Sequence, residues 1–249
     1  MRARALIVFL VLLAAVQAFA QAPAPTPRFG DQIEAYLKAD LTNPPPKGAV
    51  LFIGSSIFRL WKNLDSQLAP LPVFNRAFGG SRTGEVLAQT DRLVLPYEPR
   101  IIVYYCGSND INGGETPESI FGRYREFSEK VAARLPGTKI YFVSIIRAPQ
   151  KENRWPAVDT ANRLVREYSS KTKKREFIDV NPALFGPDGK ARRELYVSDG
   201  LHLTDQGYVE MTSVIRPVLE KAWSKERKNF CRLNPARCAD RAKANPRGK

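Results

Sequence analysis

A single histidine, His202, serves all 249 residues, and this scarcity excludes any metal centre built on a histidine pair. Cysteine is nearly as sparse: Cys106 stands alone, and Cys231 and Cys238 lie near the C-terminus, so no zinc site of two Cys-x-x-Cys pairs can form. Neither Gly-x-Gly-x-x-Gly nor a Walker-type Gly-Lys-Ser/Thr loop occurs, which weakens a nucleotide-binding reading. Past the first twenty residues, no apolar run approaches the roughly 20 residues that a bilayer span needs. Whatever imidazole chemistry the chain performs rests on His202.

With 43% hydrophobic residues and 26% charged ones, the composition is that of one ordinary globular domain able to bury a core. Lys and Arg number 39 against 25 Asp and Glu, a net charge of +14. The excess is concentrated at the end, where residues 221–249 carry ten basic and two acidic side chains. Such a tail can be drawn to anionic polymers, but Trp223 and Phe230 are the only aromatics among the charges, short of the interleaving that stacks successive bases in nucleic-acid binding. We therefore expect a solvated basic tail and no specific nucleic-acid partner. No motif bears on oligomeric state.

Residues 1–20 read as a cleavable secretory signal: Arg2 and Arg4 precede an apolar stretch, and Ala18-Phe19-Ala20 offers small residues at the expected cleavage positions. Cleavage near Ala20 would deliver the mature chain, without a transmembrane segment, to the periplasm or the medium. In an oxidising compartment Cys231 and Cys238 are expected to close a small disulfide loop. Cys106, inside an apolar run, is expected to be a buried small hydrophobe.

Residues 21–47 read as an Ala/Pro-rich linker followed by a helix carrying Phe29, Ile33, Tyr36 and Leu37, which must stop before Pro44-Pro45-Pro46. The chain then alternates. Short apolar runs at 50–53, 73–78, 101–106, 140–146 and 177–180 are each followed by a longer amphipathic stretch, the pattern of βαβ units. We expect an α/β fold with about five parallel strands and helices on both faces. Thr116-Pro117 signals a helix start with Ile120, Tyr124, Phe127 and Val131 on one face, and Pro136-Gly137 its end. Further helices are expected at 157–169 and 205–223, the latter packing through Val209, Ile215, Leu219 and Trp223, with Pro217 as a possible bend.

Ligands in open parallel sheets sit beyond the C-terminal ends of the strands. There the sequence places Gly54-Ser55-Ser56-Ile57, Gly79-Gly80-Ser81, Gly107-Ser108-Asn109-Asp110 and Asp199-Gly200-Leu201-His202. Each alone has the composition of a turn. Together they fill the four roles of acyl transfer: a nucleophile, a base, a carboxylate that orients the base, and donors for the oxyanion. Ser56 opens a helix, Gly80 lets its N–H approach closely, the Asn109 amide donates, and Asp199 and His202 are three residues apart.

In these four blocks the sequence resembles the SGNH, or GDSL-type, hydrolases over roughly residues 48–222. The first block matches residues 50–57, the second 75–83, the third 107–110 and the last 199–202, in the family's order and spacing. The resemblance implies a flavodoxin-like three-layer α/β/α fold in residues 48–224, followed by the basic tail at 225–249. It implies Ser56, Asp199 and His202 as catalytic residues and Ser56, Gly80 and Asn109 as the oxyanion hole. It also implies no cofactor, no obligatory metal, and hydrolysis of an ester substrate through an acyl-enzyme. Ser55 stands where the family often has Asp, and Ala77 where Gly is frequent. Neither position supplies a catalytic atom in the family scheme. Residues 79–82 and 147–155 are expected to rim the site. The rival reading is an exported, non-catalytic binding protein on the same fold, docked by its basic tail.

Overall fold

A computed structural model of the chain describes residues 28–233, with side chains to residue 226; the signal, the linker and Cys238 lie outside the described residues. The chain opens with α1 (Gly30–Asp40) and β1 (Val50–Gly54), then two short helices, α2 (Ser56–Arg59) and α3 (Leu64–Leu68), and β2 (Val73–Asn75). After β2 come α4 (Thr83–Ala88), α5 (Thr90–Leu93), β3 (Ile101–Tyr105), α6 (Ser108–Asn112) and α7 (Pro117–Arg134). The last part comprises β4 (Lys139–Val143), α8 (Trp155–Ser169), β5 (Arg175–Ile178) and α9 (Asp205–Leu233), with a 3₁₀ run at Pro149–Arg154 before α8 and 3₁₀ turns at Asn181–Leu184 and Arg193–Leu195 before α9.

All strand pairs are parallel and the order is β2-β1-β3-β4-β5. Strands β1 and β3 are buried along their whole length, which is why they appear in sequence as unbroken apolar runs. Alternate residues still face opposite layers. Val50, Phe52, Val103 and Tyr105 pack with α2, α3 and α9, whereas Leu51, Ile53, Ile102 and Tyr104 pack with α1, α4, α7 and α8. The two hydrophobic layers on either side of one sheet give the expected three-layer α/β/α architecture. Thr116 caps α7 by accepting the Ser119 N–H at 3.2 Å, with Pro117 at the first helical position, and Ile120, Tyr124, Phe127 and Val131 are all buried.

Three local expectations are corrected. The helices after β1 and β2 are short: Pro70 and Pro72 keep α3 from continuing, and α4 starts only at Thr83, where Glu85 accepts the N–H of the capping residue Arg82 at 2.8 Å. Strand β5 begins at Arg175 rather than 177: at this sheet edge Arg175 lies over the Tyr168 ring at 4.0 Å and donates to its hydroxyl, so a charged side chain is accommodated. On α9, Ile215 and Leu219 are buried as expected and Trp223 packs partly buried against the same layer, but Val209 is 46% exposed and Tyr208 takes the inward place beside Met211. The helix also runs past residue 224 to Leu233, through a stretch rich in Lys, Arg and Glu without Gly or Pro, and the Lys139–Glu226 ion pair at 3.1 Å pins it to β4.

Candidate active site

The strand order changes direction between β1 and β3, and this switch point opens a crevice beyond the carboxyl ends of the two strands. The chain leaves β1 through Gly54, whose φ of +145° is open only to glycine; a Cβ built there would lie 1.8 Å from the Tyr105 carbonyl oxygen. That same carbonyl accepts the Ser55 N–H at 3.0 Å. Ser55 is thereby buried and Ser56 becomes the first residue of α2, with an N–H that has no intrahelical acceptor.

His202 arrives from the opposite side of the crevice. Leu203 pairs with Tyr196, the Val197 N–H donates to the His202 carbonyl at 2.8 Å, and Gly200 turns at φ +64°. The tight loop lets Asp199 Oδ1 accept the N–H groups of Leu201 (2.8 Å) and His202 (2.9 Å), while Oδ2 lies 2.6 Å from His202 Nδ1. Burial alone would raise the Asp199 carboxyl, but these donors outweigh it and hold its pKa below the ordinary value. His202 Nε2 then stands 2.9 Å from Ser56 Oγ. Helix α9 fixes this meeting, because the Tyr208 hydroxyl donates to the Ile57 carbonyl at 2.8 Å. Ser56, His202 and Asp199 therefore form one continuous hydrogen-bonded line.

The expected oxyanion donors come from the neighbouring turns. Gly80 sits at φ +75°, and its N–H meets no acceptor among the described residues. Asn109 is the second residue of α6; its Nδ2 donates one hydrogen to the Ser81 carbonyl at 3.0 Å, which leaves the second for a ligand. Asp110, fully buried, accepts from the Thr83 N–H at 3.0 Å and from its hydroxyl, so the second and third motif blocks are locked together. Burial raises the Asp110 pKa, and the Thr83 hydrogen bonds and Arg123 oppose the rise. On the other flank, α1 supports the Gly80 turn: Gln32 accepts the Gly79 N–H at 3.0 Å, the Tyr36 hydroxyl donates to the Ala77 carbonyl at 2.6 Å, and Arg28 donates to the Gly80 carbonyl at 3.3 Å.

The rim segments are used differently from the expectation. Arg147 forks onto Asp159 at 2.6 and 2.7 Å, and Trp155 donates to the Ala148 carbonyl and packs on Phe185, so both are engaged in holding the fold. Arg82 lies against Gly113. The segment instead reaches the site through Gln150, whose N–H holds the Gly200 carbonyl at 3.0 Å, and through Lys151, which the sequence reading did not single out. Cys106 is fully buried, and burial raises its thiol pKa well above the ordinary value, as suits an inert hydrophobe. Among the described residues no three His, Cys, Asp or Glu side chains are placed to hold a metal ion. Nor is any described helix long and apolar enough to cross a membrane.

Residues 52–209 match the GDSL-like lipase/acylhydrolase family. The chain belongs to that family. It is accordingly an ester hydrolase, and the α/β fold found here is the family's fold. A search of curated proteins returned no match. Among solved structures, a GDSL-like lipase from Bacteroides thetaiotaomicron is 22% identical with a TM-score of 0.62, covering 76% of this chain and 98% of its own. A protein of Bacteroides fragilis assigned as an acylhydrolase gives 22% and 0.67, covering 76% and 96%. An acetylxylan esterase from Geobacillus stearothermophilus gives 14% and 0.56, covering 68% and 93%. At these identities the likeness carries the fold alone.

Proposed function

We propose that this family member is a serine esterase that works through a covalent acyl-enzyme. One observation carries the reading: Ser56 Oγ, His202 and Asp199 are joined at 2.9 and 2.6 Å in the order that activates a hydroxyl. Neutral His202 takes the Ser56 proton at Nε2 as Oγ bonds to the ester carbonyl carbon. The carbonyl electron pair moves to oxygen, where the N–H groups of Ser56 and Gly80 and the Asn109 amide receive the charge. Asp199 keeps the Nδ1–H tautomer and stabilises the imidazolium. Collapse of the tetrahedral intermediate breaks the C–O bond, and the alcohol leaves with the proton from Nε2. Water then attacks the acyl-enzyme, giving its proton to His202, and the carboxylic acid departs as Ser56 is reprotonated.

The substrates of this reading are carboxylic esters with short acyl groups, carried on a carbohydrate or a lipid. The motif blocks are joined without a large lid insertion, which favours an open site and small acyl groups. One structural neighbour is itself an acetylxylan esterase. Residues 1–20, with the pattern of an export signal, support a reaction outside the cytoplasm, on an envelope or exogenous ester. The test is turnover of p-nitrophenyl esters of two, four, eight and twelve carbons. The reading predicts hydrolysis with a short-chain optimum that Ser56→Ala and His202→Ala both abolish. Absence of turnover by the parent with every probe would count against it and favour the binding-protein alternative.

A further inference from the structure

Lys151 is 2% exposed, although lysine is almost never buried without a partner that neutralises it. No carboxylate lies within ion-pair distance among the described residues. Its ammonium instead donates to the Ser108 carbonyl at 2.8 Å and the Ser108 hydroxyl at 2.7 Å. Burying an ammonium this way costs several kcal/mol, and an apolar side chain of similar length would avoid that cost. The fold tolerates it at one place, directly behind the peptide that carries Asn109.

The backbone around Lys151 makes the location more informative. Residues 149–154 form a 3₁₀ run that departs from helical geometry at Lys151 itself, with φ −118° and ψ 28°. The preceding residue, Gln150, gives its N–H to Gly200 in the turn that holds Asp199 and His202. Two consecutive residues thus grip both halves of the site: Gln150 the base turn and Lys151 the donor turn. The charged groups around the ammonium are few. Asp110 on α6 acts on it electrostatically, Arg123 of α7 faces Asp110 at 3.5 Å, and on its own segment Glu152 and Arg154 are exposed.

We propose that Lys151 is a positioning residue for the oxyanion hole, fixing the Ser108–Asn109 peptide relative to the His202 turn so that the Asn109 amide meets the developing oxyanion. The inference rests on the esterase reading of the same site. Without the ammonium, the Ser108 carbonyl and hydroxyl lose their donor and the α6 start relaxes. A displacement of about 1 Å at such a donor costs on the order of 10² in rate. The ground-state ester, bound before charge develops, is affected little.

The experiment is a double-mutant cycle in the full chain with p-nitrophenyl acetate: parent, Lys151→Met, Asn109→Ala and the double variant, with kcat and KM measured separately. Lys151→Met is expected to lower kcat about tenfold or more with KM within about twofold, and to lower it no further in the Asn109→Ala background. A purely structural lysine would lower kcat by the same factor in both backgrounds, and that result overturns the inference. So does a kcat within about twofold of the parent. Ser108→Ala, which keeps the lysine and removes one acceptor, is expected to lower kcat about threefold with the same dependence on Asn109, and it carries the test if the methionine variant does not fold. If the parent hydrolyses nothing, the esterase reading falls and this inference with it. If the parent turns over and Asn109→Ala impairs it while Lys151→Met and Ser108→Ala do not, only this inference falls.

Discussion

Replacing Gly54 by alanine strikes the point where β1 hands the chain to Ser56. A Cβ at this position would lie 1.8 Å from the Tyr105 carbonyl oxygen and 2.7 Å from its carbon, both backbone atoms. Ordinary contact begins near 3.4 Å, so β1 and β3 must part by about 1.5 Å at their last rung. That separation breaks the Ser55 N–H bond to the same carbonyl and disturbs the Gly54 carbonyl, which accepts from Phe78 N–H at 3.0 Å and the Ser81 hydroxyl at 3.1 Å. Backbone strain of roughly 1–3 kcal/mol and two or three weakened hydrogen bonds at about 1 kcal/mol each give a cost on the order of 4 kcal/mol. With a urea m-value of about 2 kcal/mol/M, the unfolding midpoint should fall by about 2 M. Esterase activity should fall by more than the unfolded fraction explains, because Ser56 moves. The control is Gly122→Ala in the middle of α7, where nothing lies within 4 Å and alanine should add about 0.5–1 kcal/mol. A Gly54→Ala midpoint within about 0.3 M of the parent, with parental activity, would refute the reasoning.

Three further outcomes follow from the site. Asn109→Ala should lower kcat on the order of 10² while the urea midpoint changes little, and a loss of tenfold or less would reduce Asn109 to a supporting role. Asp199, whose pKa is held below the ordinary value by the donors on its carboxylate, should stay ionised in mild acid and keep its hold on His202 Nδ1, and an Asp199→Asn variant with the parental rate at pH 7 would contradict its orienting role. Burial lowers the Lys151 pKa to about 8, against an ordinary lysine near 10.4. The unfolded chain therefore binds the extra proton between these values, and stability from this group rises with pH across that window and is lost as pH falls through about 8. The parent should gain on the order of 3 kcal/mol relative to Lys151→Met between pH 7 and pH 10.5, read from paired urea midpoints, and equal midpoint differences at the two pH values would show that the ammonium is not held as described.

The strands were legible because burial on both faces leaves only apolar residues to fill them, as in residues 50–53 and 101–105 of β1 and β3. Helix α7 was legible because Thr116 and Pro117 announce a start that local chemistry alone decides. The start of β5 was not, since Arg175 owes its place to the Tyr168 ring, a tertiary contact without a sequence signature. The inward face of α9 was legible at Ile215 and Leu219 but not at its first turn, where Val209 is the more apolar choice, yet Tyr208 is drawn inward by the Ile57 carbonyl and the Trp61 ring. The same division holds at the site. The four motif blocks could be read because their residue types and order are tied to strand ends. Lys151 could not, since Pro-Gln-Lys-Glu-Asn-Arg has the composition of a solvated loop and only the packed structure shows the ammonium turned inward onto Ser108.

The central claim is that Ser56, activated by His202, becomes acylated. A reactive organophosphonate ester, incubated with the parent protein and with His202→Ala, followed by peptide mass mapping, reads that bond directly. The account predicts a single adduct on Ser56 in the parent, formed far more slowly in the variant and accompanied by loss of ester hydrolysis. An adduct on Ser55, or full inactivation with Ser56 unmodified, would contradict it.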